Sequence, residues 1–200
     1  MDVLDWAELK LEIKYCTKCR LCETRKNTVF GMGNPSAGVL IIGEGPGQQE
    51  DEQGLPFVGR SGQLLDKILE ACGFNRNEHV FIGNIVKCRP PENRDPKPDE
   101  REACIGYLFK QIDFMQPKII VLLGRTALQG LIDPQLSITR LRGTWLEWNG
   151  IQVLPTYHPS ALLRNPNLKK DAWDDFRKLV AKYIELIAPD FRPPYFDKPK

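Results

Sequence analysis

The chain has no apolar run approaching the length of a membrane span, which sets aside a helical membrane protein. It has no marked excess of either charge: 28 lysines and arginines against 26 acids leave +2. Such a balance does not require a nucleic-acid partner. Nor does it forbid one, because a local basic face is enough for phosphate contacts. The first residues, MDVLDWAELKLEIK, alternate acids and bases with hydrophobics. They lack the features of a secretory or transit peptide, so a cytoplasmic protein is expected. No internal repeat or dividing linker interrupts the 200 residues. A single domain over 1–200 is expected, with a flexible tail from about residue 190 in FRPPYFDKPK. Histidine is scarce: there are two, His79 and His158.

Cysteine is not scarce. Six are many for an intracellular chain of this length, and disulfides are disfavoured in a reducing compartment. Metal or cluster ligation is therefore the leading expectation. Cys16-Thr-Lys-Cys19 places two thiolates on one tight turn, and Cys22 extends it to CxxCxxC. Cys88 and Cys104 stand apart, one at a strand end and one inside the next helix. A zinc ribbon prefers a second knuckle, which is missing, while thiolates from dispersed positions suit a cubane cluster. Spacing alone leaves iron–sulfur and zinc both open. Cys72 follows a packed helix face and reads as a small core residue.

Periodicity predicts the framework. Trp6, Leu9 and Ile13 mark a helix over 4–14. Continuous apolar runs at 39–42, 80–86 and 118–123 predict buried strands. A helix over 61–71 is capped by Ser61 and stopped by Gly73. Asp99 and Glu102 form a capping box for a helix reaching 114, and a short helix covers 124–131. Asn149-Gly150 predicts a hairpin turn between strands at 145–148 and 151–155. Trp173, Phe176, Val180, Tyr183 and Ile187 mark a long final helix. Between Lys87 and Glu100, four prolines and no periodicity predict a loop. Strands alternating with helices imply a three-layer α/β/α sandwich around a central, mostly parallel four-stranded sheet. Ligands of such sheets bind at the carboxyl ends of strands. Three loops lie there: 43–47, Lys87 onward, and 156–160. Basic residues gather at Lys87, Arg89, Arg94 and Lys97, at Arg140 and Arg142, and at Arg164, Lys169 and Lys170.

The glycine loop Gly43-Glu44-Gly45-Pro46-Gly47 lacks what phosphate binding needs. No Gly-Lys-Ser/Thr follows, the third glycine of a dinucleotide fingerprint is absent, and no helix is expected to open there. Pro46 removes a backbone donor, and Glu44 with the acids after it repels phosphate. Glycines here let the backbone approach a flat, neutral ligand. His158, at a strand end beside two of these loops, is the functional candidate of the two histidines.

Together these pieces resemble the family 4 uracil-DNA glycosylases, the iron–sulfur type common in thermophilic prokaryotes. The resemblance covers nearly all of the chain. It rests on CTKCRLC, GEGPG-x3-D, GLPFVGRSG, NIVKCRPPENR, Cys104 and HPSALLR. The family's first motif is usually GEAPG, and Gly45 in place of alanine is expected to loosen the loop. The resemblance implies a [4Fe-4S] cluster on Cys16, Cys19, Cys88 and Cys104, with Cys22 and Cys72 outside the ligand set. It implies that the loop holds a uracil flipped out of DNA. Phe57 would stack on the base and Asn84 would read its edge. The backbone at Glu44, Gly45 and Gly47 would line the pocket, and His158 would donate to O2 as the glycosidic bond breaks. Leu162 would wedge into the base stack, and Ser160 and Arg164 would hold phosphates.

Well-known members of the superfamily carry an aspartate at the place of Gly45 and a tyrosine at the place of Gly47. The water-orienting role therefore falls to Glu44 or Asn93, with Glu44 favoured, and thymine is rejected from elsewhere. Covalent-trapping relatives carry a histidine in an added loop after the third cysteine. RPPENRDPKP has none, so hydrolysis and release are expected. The implied partner is single- or double-stranded DNA containing uracil, met by a monomer without a membrane; a sliding-clamp or repair partner stays unassigned. Two other readings stand beside this one. One is a glycosylase of the same fold for another deaminated base. The other is a non-catalytic iron–sulfur or zinc module that binds nucleic acid or relays electrons.

Overall fold

One sheet of six strands organises the chain. The strands are β1 (Met32–Gly33), β2 (Val39–Gly43), β3 (Phe81–Asn84), β4 (Ile119–Leu123), β5 (Leu146–Trp148) and β6 (Ile151–Thr156), in the order β1-β3-β2-β4-β6-β5. The computed structural model describes residues 3–195, with side chains from residue 6 onward. The inner four strands are parallel, and β1 and β5 pair antiparallel at the edges. The sheet is thus wider than the four strands expected. A two-residue β1 leaves no alternation to read, and β5 joins through the expected hairpin, where Asn149 and Gly150 take φ 50° and 78°.

Side chains of the central strands divide by parity. Leu40, Ile42, Ile120 and Leu122 enter one core, while Val39, Ile41, Ile119, Val121 and Leu123 enter the other. A strand apolar on both faces must be covered on both. The first face is covered by α1 (Val3–Lys14), α4 (Pro98–Met115) and α5 (Arg125–Leu131), through Leu9, Ile13, Leu108, Ile112 and Leu128. The second is covered by α3 (Arg60–Ala71) and α8 (Lys169–Leu186), through Leu65, Leu69, Phe176, Leu179 and Val180. That is the three-layer sandwich anticipated from the alternation of strands and helices.

Three helices were not anticipated: α2 (Gln48–Gln53), α6 (Ile138–Leu141) and α7 (Pro159–Arg164). None is long enough to show a 3.6-residue period. The first corrects the view that no helix opens behind the glycine loop, since Gly47 is its N-cap. Two caps also differ. Helix α3 starts from Gly59, not Ser61, and Glu50 accepts the N–H groups of Val58 and Gly59 at 2.9 and 2.8 Å. At α4 the reaching acid is Glu100, which accepts the Lys97 N–H at 2.8 Å, not Glu102. The tail expected to be flexible from about residue 190 is packed through Tyr195: Phe191 meets Phe74 and Tyr183, and Tyr195 meets Trp173 edge-on. Residues 196–200 of that expectation lie outside the described residues.

Candidate active site

A parallel sheet delivers all its carboxyl ends to one edge. Here register aligns them closely, with Gly43 opposite Asn84 and Leu123 opposite Thr156. Four segments therefore converge: 44–47 after β2, 84–88 from the last residue of β3 onward, 124–126 after β4, and 157–160 after β6. Between the first, second and fourth of these lies an open cleft of ≈ 570 Å³. Glu44, Gly45, Gly47, Phe57, Asn84, Asn93, His158, Ser160 and Arg164 all line it. A second cleft of ≈ 400 Å³ shares Glu44, Gly45, His158, Ser160 and Arg164 and adds Arg125 and Tyr157.

Asn84 is buried to 1% exposure, and its Oδ1 has no hydrogen-bond partner. An unpaired buried acceptor costs roughly 1–3 kcal/mol, so an N–H donor from a ligand is the natural complement. The amide sits against bare backbone, since a Cβ on Gly43 would fall 2.5 Å from Asn84 Oδ1 and 2.6 Å from the Phe57 ring. Phe57 forms a wall, its ring 5.6 Å from that of His158 at 32°. Its backbone is left-handed at φ 51°, a conformation costing a non-glycine residue of order 1–3 kcal/mol. Two supports hold it there. Arg76, itself paired with Asp66, donates to the carbonyls of Phe57 and Pro56. Gly62 lets α3 press in, where any Cβ would come within 1.9 Å of the Phe57 carbonyl oxygen.

His158 caps α7 by accepting the Ser160 N–H at Nδ1, 3.1 Å away, with the Ser160 hydroxyl at 2.8 Å. With Nδ1 engaged as acceptor, the neutral ring carries its proton on Nε2. Burial, helped by Arg164, pushes the imidazole pKa down to about 4. Gly124, at φ 88°, makes room for it, since a Cβ there would lie 2.9 Å from His158 Cβ. Behind the loop, Asp175 is fully buried and accepts from Thr156 and from Arg142. Leu162 does not project: it is 2% exposed, and the exposed neighbour is Leu163, at 38%. A helix places adjacent residues on different faces, a distinction the heptapeptide alone did not carry.

Glu44 is half-buried, and burial raises its pKa, opposed by a hydrogen bond from Thr126. Asn93 reaches the same cleft, but its Oδ1 accepts from Arg89 Nε at 2.8 Å. Gly45 packs tightly, a Cβ lying 2.7 Å from Val86 Cγ2, so the alanine of the family's usual motif would require Val86 to shift. A Cβ at Gly47 would lie 2.8 Å from Glu50 Oε2. Thr126, Arg76 and Glu50 were missed in the sequence. Each acts on residues distant in the chain, and only Glu50 had a signal, as one of the acids behind the glycine loop.

Below the cleft, on the α1–α4 side, Cys16, Cys19, Cys88 and Cys104 line one cavity together with Arg25, Lys87 and Tyr107. Donors point at the sulfurs: Arg25 Nη1 to Cys88 at 3.2 Å, the Lys87 N–H to Cys104 at 3.3 Å, and the Lys18 N–H to Cys16 at 3.5 Å. Cys22 is not on the cavity wall, and Cys72 is buried in the opposite core. Burial pushes Cys88 up to about 12 as a thiol. Lys87, expected within a basic surface cluster, is instead 1% exposed. Arg94 of the same cluster is paired with buried Glu100 at 2.7 Å.

A family profile described as Uracil DNA glycosylase superfamily matches residues 30–177. A type-4 uracil-DNA glycosylase of Saccharolobus solfataricus is 47% identical over 188 residues, covering 90% of this chain and 86% of that protein. Those of Sulfurisphaera tokodaii and Thermotoga maritima are each 46% identical, covering 90% and 86% of this chain and 84% and 88% of their own lengths. With the profile spanning the cleft and all six strands of the sheet, the chain belongs to the uracil-DNA glycosylase superfamily.

Proposed function

We propose that this protein excises uracil from DNA by hydrolysing its N-glycosidic bond, leaving an abasic site and free uracil. The observation that carries this reading is the unpaired Asn84 Oδ1 at the buried end of a cleft walled by Phe57. A uracil on that wall offers N3–H to Oδ1 and O4 to the amide NH₂. Cytosine reverses both groups, and leaving two buried polar groups unpaired rejects it strongly. Chemistry on a base requires extrusion into such a pocket.

As the bond stretches, negative charge grows on the uracil oxygens and positive charge on the sugar. His158, kept neutral, donates through Nε2–H to O2, where a preorganised donor is worth about 3–4 kcal/mol. Glu44, fixed by Thr126, orients water towards C1′ and takes its proton. Asn93 is the weaker candidate because Arg89 already occupies its oxygen. Glu50 fills the corner that Gly47 leaves, and we assign to it the exclusion of thymine's methyl group. Arg164 holds phosphate. The exposed Leu163 takes the wedge role that buried Leu162 is not placed to perform.

Three of the four thiols on one cavity accept N–H donors and a buried cation lies beside them, which supports a [4Fe-4S] cluster that Cys16, Cys19, Cys88 and Cys104 would hold. Bound iron would supply the charge that keeps buried Cys88 ionised. The cluster would tie the loop between Cys88 and Cys104 to the end of α1. The reading places a monomer in the cytoplasm, acting on single- or double-stranded DNA. Among the described residues no helix is long and apolar enough to cross a membrane. The test is product analysis on matched DNA strands carrying uracil, cytosine, thymine or hypoxanthine. Free uracil and alkali-labile breaks from the uracil strand alone are expected. Release of hypoxanthine at a comparable rate would move the assignment to a broader deaminated-base glycosylase, and a protein–DNA adduct would refute hydrolysis.

A further inference from the structure

Among the described residues, Lys87 is the one lysine whose side chain disappears into the interior, between the cysteine cavity and the base-reading cleft. Its ammonium donates to the Asn84 carbonyl at 2.9 Å and to Gln111 Oε1 at 2.7 Å. Gln111 in turn donates to the Phe30 carbonyl at 2.9 Å, which anchors the pair to α4 and to the segment entering β1. Among the described residues no carboxylate pairs with Lys87. Its hydrogen-bond acceptors are neutral, and the ionisable group that acts on it is Cys104, on the wall of the same cavity. Burying an ammonium is costly, and a methionine would fill the same space without that cost. A lysine here therefore needs a reason beyond packing.

We propose that Lys87 is a positioning residue for base recognition: it pins the main chain of Asn84 and so aims an amide that has no anchor of its own. Asn84 is the last residue of β3, and its Oδ1 has no protein partner. The pose of that side chain is inherited from its backbone and from the walls at Gly43 and Phe57. Shortly afterwards the chain reaches Cys88, so the clamp also closes the turn between reader and cysteine cavity. This inference rests on Asn84 reading uracil.

The test is a double-mutant cycle with Lys87→Met, Asn84→Ala and the pair, using single-turnover excision from uracil DNA, the half-saturating protein concentration, the thermal midpoint and the cluster's visible absorbance. Lys87→Met is expected to slow excision about 10- to 100-fold at unchanged half-saturation, with absorbance retained. In the Asn84→Ala background it should cost less than about twofold, because residues acting as one unit are not additive. Multiplicative losses would overturn the proposal. So would loss of visible absorbance with excision restored by cluster reconstitution, which would assign the lysine to the cluster. Should Lys87→Met fail to fold, Gln111→Leu leaves the ammonium in place but unhitches it from α4. A smaller loss with the same non-additivity is expected, and additivity again overturns the idea. Full activity in Asn84→Ala alone would refute the recognition role of Asn84, and this outcome is distinct from any result on Lys87.

Discussion

His158 shows how one residue's surroundings decide its chemistry. Unfolded, its imidazole titrates near 6.5; folded, burial and Arg164 bring it to about 4. Between those values the unfolded chain holds a proton that the folded chain refuses. Stability therefore rises with pH across this window and is lost as pH falls from about 6.5 towards about 4. His158→Ala is expected to flatten that part of the stability curve; an unchanged slope would mean the ring is not held neutral. The same neutrality predicts an excision rate with no inflection from His158 near neutral pH. Cys72 makes the contrasting case. Buried in the α3–α8 core, it is expected to tolerate replacement by alanine at a cost of about 1–2 kcal/mol, with visible absorbance unaltered. Loss of absorbance would bring it into the ligand set.

At the level of elements, α3 links the pocket wall to the sheet. Its first turn depends on Glu50, its approach on Gly62, and its far end on Gly73 at φ 81°. Gly62→Ala would force Phe57 from its conformation and is expected to lower the thermal midpoint and weaken free-uracil binding together. A variant with both unchanged would show that the wall is not set by this contact. Glu50→Ala removes two hydrogen bonds to the helix start, a loss of about 1–2 kcal/mol. It should also admit thymine, seen as excision from a thymine strand; continued exclusion would take that role from Glu50. The long elements were legible because both-face apolar runs and 3.6-residue periods are strong signals. The Ser61 cap was misread because the acid that serves the start of α3 is Glu50, which reaches the Val58 and Gly59 N–H groups through space from α2. Short α2 and α7 carry no period, yet α7 sets which of Leu162 and Leu163 faces outward.

Across the whole molecule, two cores share one sheet, and the cysteine cavity lies on the side opposite α3 and α8. The motif residues Glu44, Asn84 and His158 come from three strand ends, which the α/β alternation anticipates, while Phe57 comes from the segment between α2 and α3. Their supports could not be anticipated: Thr126 lies 82 residues from Glu44, and Gln111 lies 24 from Lys87. Cys88→Ser is expected to abolish visible absorbance and lower the thermal midpoint while leaving the far-ultraviolet signature of the sheet. Activity that followed cluster redox state at constant stability would contradict a structural role. The most direct test of the central claim is single-turnover excision from a uracil-containing strand by the wild-type protein, Asn84→Ala and His158→Ala. Uracil release by the wild type, slowed by about 10²–10³ in each variant with DNA binding retained, is the predicted result. No release by a wild-type protein with its visible absorbance intact would contradict the account.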